Sequence, residues 1–421
     1  MNINNAEKPS TSRNNKDFIL GLPKTIWVVC IVSFFSNCSS VIITAFSPQF
    51  IINILGGTTV ALGCIRGLSE SLSYLVKMIS GVFSDWLGKR KILIVLGYLC
   101  GALSKPMFAF CNGLGLYIFA QSFERITNGL RDTPRDALIA DCAPKELKGK
   151  SYGARQFCAF TGSMIGSLFT LLIMCHFGSS EFVVRMIYLV AAIPLAISVL
   201  LLCYGVKEPK GIVSLKRRKG FPIKRKDIEQ LGRSFWYYLF ICFIFLCSRF
   251  SETFLIWRAQ NLGLDVTYAP LVLVVMYAFN APTAWIVGKW SDKRERKLFL
   301  SFGFCMLLAS SIVLTTATNA WQALIGVAFY GIHFGATHGT FYAVVSDYAP
   351  PQIKGTSIGI FNLTYCVGLS VANILTGWMC ASYGAETAFV VNAAISLVAS
   401  IGILFIRPNK ANYELNAKLE D

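Results

Sequence analysis

Charge is scarce in this chain. Of its 421 residues, 14% are Asp, Glu, Lys or Arg and 54% are apolar. Acids are the rarer sign, 22 against 39 bases. Long stretches hold almost no charge at all, which excludes the two or three soluble domains that the length alone would suggest. Hydrocarbon offers no water to backbone groups, so such stretches of about 20 residues have to be spanning helices. The 14 cysteines show no C-x-x-C spacing. Most, such as Cys30, Cys100, Cys242 and Cys305, fall in apolar runs and read as small buried hydrophobes, so no metal centre is expected. There is no Walker-type loop, which excludes ATP as an energy source, and no hydrolase or kinase constellation. Neither an enzyme nor a cofactor is expected. No cleavable leader is expected either, because the first apolar run begins late, is long and lacks a small-residue cleavage site.

What is present is twelve apolar segments, near 25–50, 58–82, 92–111, 115–139, 153–175, 183–204, 235–257, 268–288, 298–317, 321–345, 355–380 and 385–406. The connections are short except the one between Lys207 and Arg233. This predicts an all-α integral membrane protein with a six-helix bundle over 23–205, a basic linker over 206–234 and a second bundle over 235–408. Residues 1–22 and 409–421 read as polar tails without fixed structure.

The chain is also written twice. The block Asp141–Gly153 returns as Asp347–Gly359 with seven of 13 positions identical, at a shift of 206. Gly81-Val-Phe-Ser-Asp85 returns as Gly288-Lys-Trp-Ser-Asp292 at a shift of 207, each running into a basic cluster. Two motifs keeping one spacing make two copies of one six-span unit, related by an axis normal to the bilayer. In a membrane protein such a repeat points to a transporter whose halves rock about a central site.

Basic residues mark one face. Lys89, Arg90, Lys91, Lys145, Lys148, Lys150, the linker cluster Lys216–Lys219 and Lys293–Lys297 fall in loops on one side, while the other side is nearly bare. The positive-inside rule puts both termini and the linker in the cytoplasm. The formal charge of +17 is mostly this signal. Spread over alternate loops, it does not form the single stripe that nucleic acid would need.

Gly81-x-x-x-Asp85-x-x-Gly88-Lys89-Arg90-Lys91, between the second and third spans, resembles the loop signature of the major facilitator superfamily. A degraded copy, Gly288-x-x-x-Asp292-Lys293-Arg294-x-Arg296-Lys297, sits between spans eight and nine. Arg125-x-x-Asn128-Gly129 is similar to that family's second motif. The resemblance covers about 23–408 and implies its fold, two six-helix bundles related by pseudo-twofold symmetry. The run Arg131–Asp141 and Phe254–Gln260 look like a poorly characterised bacterial branch. Trp86, Arg131 and Asp132 depart from the usual motif residues, and the fifth span around Gly162 and Gly166 lacks the proline and extra glycine of drug–proton antiporters.

The resemblance implies a latch. Asp85 and Asp292 end helices at the cytoplasmic face and would hold the halves together there, with Gly81, Gly88 and Gly288 shaping the turns and Lys89, Arg90 and Arg296 supplying charge. Asp141 is the best-placed acidic partner for Lys89 and Arg90. The alternative is that these bases only fix orientation.

Charges inside the membrane default to function or to mutual pairing. In span two, Arg66, Glu70 and Lys77 share a face, and Arg66 and Glu70 are spaced to pair. Span four has two stripes, Glu124-Asn128-Arg131-Arg135 and Arg125-Gly129-Asp132-Asp136. In span seven, Arg249 and Glu252 can share a face and Arg258 can snorkel to the interface. The second half is polar and neutral where the first is charged: Tyr277, Asn280, His333, His338, Asn362, Tyr365 and Asn373. The bases Arg66, Lys77, Lys105, Arg125, Arg131, Arg135 and Arg249 outnumber the acids Glu70, Glu124, Asp132, Asp136 and Glu252.

A positive cavity attracts anions, which Arg grips with its bidentate fork. The first hypothesis is therefore a monomeric, proton-coupled carrier taking up a small anion: a carboxylate, a phosphorylated metabolite or a carboxylate siderophore. Its solute would meet Arg66, Arg125, Arg131, Arg249, Asn280, Asn362 and Tyr365, with Glu70, Asp132, Glu252 and His338 as proton carriers. Proton-antiport efflux of an amphipathic compound is the alternative, and a membrane sensor that moves nothing is the remote one.

Overall fold

The computed structural model describes residues 18–19, 21–87, 90–143, 147–206, 231–291, 294–348 and 354–405. All twelve expected segments are helical, most with ends within a few residues of those read from the sequence. In the first half they are α1 (Lys24–Gln49), α2 (Thr59–Leu87), α3 (Arg90–Ala109), α4 (Leu114–Cys142), α5 (Lys148–Phe177) and a sixth span in two pieces, α6 (Glu181–Val190) and α7 (Ala192–Gly205). The seventh span is also in two pieces, α8 (Arg233–Ser248) and α9 (Glu252–Asn261). Then come α10 (Ala269–Ser291), α11 (Arg296–Thr316), α12 (Ala320–Tyr348), α13 (Lys354–Tyr383) and α14 (Ala385–Leu404). Among the described residues, nine of the spans are long and apolar enough to cross a membrane on composition alone. Of the other three, α2 and α4 carry most of the intramembrane charges, and α12 carries His333, His338, Tyr330 and Tyr342. Large apolar side chains such as Leu103, Phe119, Leu172, Ile193 and Leu397 are exposed around the outside, as a lipid-facing belt requires.

The tail ending at residue 22 is not structureless throughout. Phe18–Ile19 and Leu22–Pro23 form a two-stranded antiparallel hairpin, β1 and β2, and the Trp27 indole donates to the Ile19 carbonyl at 2.7 Å. Gly88, Lys89, Asp292 and most of the 206–234 linker lie outside the described residues; Gly81 and Asp85 are placed only as part of the α2 backbone.

The repeat seen in the sequence is repeated in contacts. Arg90 pairs with Asp141 at 3.1 Å, joining the start of α3 to the end of α4; 206 residues later Arg296 pairs with Asp347 at 2.7 Å, joining α11 to α12. Lys91 donates to the carbonyls of Cys203 and Val206 at the end of α7, and Lys297 to that of Leu404 at the end of α14. These are cations on helix C-termini, where orphan carbonyls and the dipole favour them.

The bundles meet along two seams, α2 against α13 and α5 against α10. The first is close because its residues are small. A methyl group on Gly63 would stand 2.4 Å from the Asn373 carbonyl, and one on Gly377 2.5 Å from that of Thr59. Further toward the basic face the Ser71 and Ser370 hydroxyls bond each other and the Tyr74 ring packs on Tyr365 at 4.8 Å.

Candidate solute-binding site

The two stripes of α4 go to different neighbours. The Glu124 stripe faces α3. Glu124 forms a buried pair with Lys105, and Arg131 lies over the Tyr98 ring at 4.3 Å, with Gly97 and Gly101 clearing its path. The Arg125 stripe faces α2 and the middle of the molecule. Arg125 pairs with Glu70 at 3.0 Å, and Asp132 lies between Lys77 at 3.2 Å and Arg135 at 3.0 Å. Asp136 is shared between Arg135 and Arg155. Pro134 is accommodated without ending the helix.

Several expectations change here. Glu70 is spaced to pair with Arg66 but pairs with Arg125, because Arg66 turns into the interior of its own bundle, where it is 1% exposed. Arg131 is packed between α3 and α4 rather than set in a central cleft. Asp132, expected as a proton carrier, is in ion pairs with both Lys77 and Arg135. Arg258 does not snorkel. It is buried and donates to the carbonyls of Leu314 and Ala317 at the end of α11, at 3.1 and 3.4 Å.

Span seven carries the largest difference. Arg249 and Glu252 do not share a helix face, since the helix breaks between them. Arg249 has extended backbone angles, and Ser251 caps α9 by accepting from the Thr253 amide. A break at this depth needs internal partners for its backbone. Asn373 of α13 accepts the Ser251 amide at 2.9 Å, and the Tyr330 hydroxyl of α12 donates to the Phe250 carbonyl.

The break sets Arg249 among aromatic groups. Its guanidinium lies 4.3 Å over the Phe334 ring and donates to the Tyr365 hydroxyl. It has no carboxylate partner among the described residues. Glu252 is half-buried, has no hydrogen bond or ion pair among the described residues, and lies within electrostatic reach of Arg125, Tyr277 and Tyr330. Phe334 stacks on His338 and packs on Phe160 of α5 across the seam. Asn280 is fully buried with both amide atoms unpartnered, His338 keeps Nδ1 unpartnered, and Asn362 accepts from Tyr342 at 3.0 Å. An unpaired base, an unpaired acid and a set of phenols thus meet where the two bundles face each other.

A family model described as the Major Facilitator Superfamily matches residues 29–373. The chain belongs to this superfamily. An uncharacterized MFS-type transporter of Methanocaldococcus jannaschii is 29% identical to it over 392 residues, covering 91% of this chain and 95% of that one. Among solved structures, a POT family transporter in complex with 5-aminolevulinic acid superposes with a TM-score of 0.78 at 12% identity, over 92% of this chain and 97% of that one. The nucleoside transporter NupG, as a D323A mutant, does so with a TM-score of 0.75 at 11% identity, over 91% and 100%. At those identities the likeness is one of fold.

This major facilitator protein is thus a membrane-spanning transporter of a small molecule and not an enzyme. Of its expected cavity residues, Arg125, Glu70, Arg249, Glu252, Tyr365 and His338 gather near the bundle interface, whereas Arg66 and Arg131 do not. Sequence reasoning missed Tyr330, Phe334 and Phe160. Each sits in an apolar stretch of a helix, where an aromatic residue reads the same whether it packs a core or lines a site.

Proposed function

We propose that this transporter carries a small anionic solute, bound at Arg249 with Arg125 opposite, and that Glu252 carries the coupling proton. The supporting observation is that Arg249 and Glu252 are buried or half-buried charges within a span, each without an ionic partner among the described residues, three residues apart across a helix break. An unpaired intramembrane charge is costly, so each calls for something that arrives during the cycle: an anion for one, a proton for the other. Glu252 lies within electrostatic reach of Arg125. If the solute's negative charge takes up Arg125, the carboxylate loses a favourable neighbour and binds a proton more readily. The basic face is cytoplasmic by its loop charges, and the membrane is the bacterial inner membrane. The latch between the halves is assigned to Asp85 and Asp292, while the pairs Arg90–Asp141 and Arg296–Asp347 at the cytoplasmic helix ends each tie two helices of one half.

The test is flux in proteoliposomes of the purified protein, with an imposed pH gradient and a panel of carboxylates and phosphorylated compounds. Uptake of an anion that collapses when a protonophore dissipates the gradient is the expected result. Flux that ignores the gradient would remove the coupling, and flux of cations or neutral amphipaths alone would remove the anion. The rings of Phe160, Phe334, Tyr277 and Tyr365 favour the second reading, export of an amphipathic compound, which the same assay detects as reversed direction.

A further inference from the structure

Charges in the first bundle can be paired off one by one. Lys105 takes Glu124, Arg125 takes Glu70, Lys77 and Arg135 share Asp132, and Arg135 and Arg155 share Asp136. Two guanidinium groups remain. Arg131 has the face of Tyr98 against it, which partly offsets its burial. Arg66 has no carboxylate and no stacked ring among the described residues, its Nη2 is unpartnered, and it is 1% exposed.

Two rings of an aromatic box, those of Tyr117 and Tyr188, lie near Arg66. Phe50, Phe108, Tyr117 and Tyr188 lie with centroids 5.3–6.1 Å apart, and both tyrosines are within electrostatic reach of Arg66. Tyr117 gives its proton to Ser47 at 3.0 Å. The Tyr188 hydroxyl is fully buried and has no partner. Nearby Arg185 is committed to Glu181 and to the Ala109 carbonyl. The site therefore offers two buried donors, one of them a full positive charge, and a wall of ring edges and faces.

We propose that Arg66 and the Tyr188 hydroxyl hold a small monovalent inorganic anion of the halide class inside the first bundle, between α2 and α6. A single uncompensated cation calls for a single negative charge. The enclosing aromatic rings favour a weakly hydrated ion over a phosphate or a metabolite, which would bring acceptors that nothing here satisfies. The Phe108, Tyr117 and Tyr188 rings of this site come from α3, α4 and α6 of the first bundle, so it is distinct from Arg249 and does not depend on its reading.

The experiment is thermal unfolding of the purified full chain in sodium chloride against sodium gluconate at constant ionic strength, in wild type, Arg66→Met and Tyr188→Phe. The expected result is a saturable rise in Tm with chloride of about 3–6 °C in wild type. That rise disappears in Arg66→Met, and its midpoint moves to roughly tenfold higher chloride in Tyr188→Phe, as loss of one bond to a charged group predicts. Bromide substituted for chloride in crystals should give an anomalous peak beside Arg66. Identical curves in chloride and gluconate would overturn the proposal in favour of a water on the unpartnered Arg66 Nη2. A chloride effect that survives unchanged in Arg66→Met would mean an adventitious ion only. If Arg66→Met does not fold, Tyr188→Phe and the bromide density decide.

Discussion

Two side chains three residues apart carry most of the functional argument. Glu252 has no ionic partner among the described residues and lies within electrostatic reach of Arg125, so Glu252→Gln should separate coupling from binding. Expected is loss of gradient-driven uptake with solute exchange across equal pH retained, measured as counterflow in proteoliposomes. Equal sensitivity of both modes would assign Glu252 to binding rather than to protons. Arg249→Gln should lower apparent affinity for the anion by about ten- to a hundredfold, since a charged hydrogen bond contributes roughly 1.5–3 kcal/mol. Arg249→Lys should recover only part of it, because an ammonium lacks the planar fork and stacks less well on Phe334. Full recovery by lysine would show that only charge matters there.

At the scale of helices, α4 shows why so many charges are tolerated in one span. Partners from α3, α2 and α5 and pairs within α4 itself take up its charges, with Arg131 held on the Tyr98 ring of α3. Lys105 and Glu124 form the most enclosed of these pairs, with side chains 1% and 6% exposed. Lys105→Met should strand Glu124 and cost about 3–5 kcal/mol of stability, whereas Lys105→Met with Glu124→Leu should recover most of it. Denaturation of both variants in detergent checks this, and a double variant no better than the single would mean that packing rather than charge is at stake. The break between α8 and α9 depends on partners outside its own span. Asn373→Ala leaves the Ser251 amide without an acceptor, at about 1–3 kcal/mol, and should lower flux because Arg249 and Glu252 are positioned by that break. The twelve spans and their polarity were legible in advance, since period and charge report directly on burial in lipid. The break was not: the Arg249–Ser251 stretch has neither proline nor glycine, and it exists because Asn373 and Tyr330, 122 and 80 residues away in the chain from the groups they bind, satisfy its backbone.

At the scale of the whole molecule, the seam between α2 and α13 is where the halves touch through small residues, and alternating access requires it to part. Replacing Ser71 and Ser370 with cysteine puts two thiols where two hydroxyls now bond. Oxidation of that double variant should abolish transport and reduction should restore it, followed by solute flux and by gel mobility after cleavage between the halves. Undiminished flux in the cross-linked protein would rule out rocking about this seam. The duplicated pairs Arg90–Asp141 and Arg296–Asp347 make the same point about origin: the two halves keep one way of tying their third helix to their fourth.

By itself, the order of residues determined that this protein spans a membrane twelve times, that it is two copies of one unit, which face carries the basic loops and which superfamily it joins. Those properties follow from local hydropathy, from spacing and from motifs, all of which are linear. Only the tertiary structure decided which charges are spent on one another. Glu70 chose Arg125 over Arg66, nearer in sequence, Asp132 took two cations, and Arg249 and Glu252 were left with none among the described residues. Pairing depends on distances between helices, and a helix face permits several partners while packing admits one.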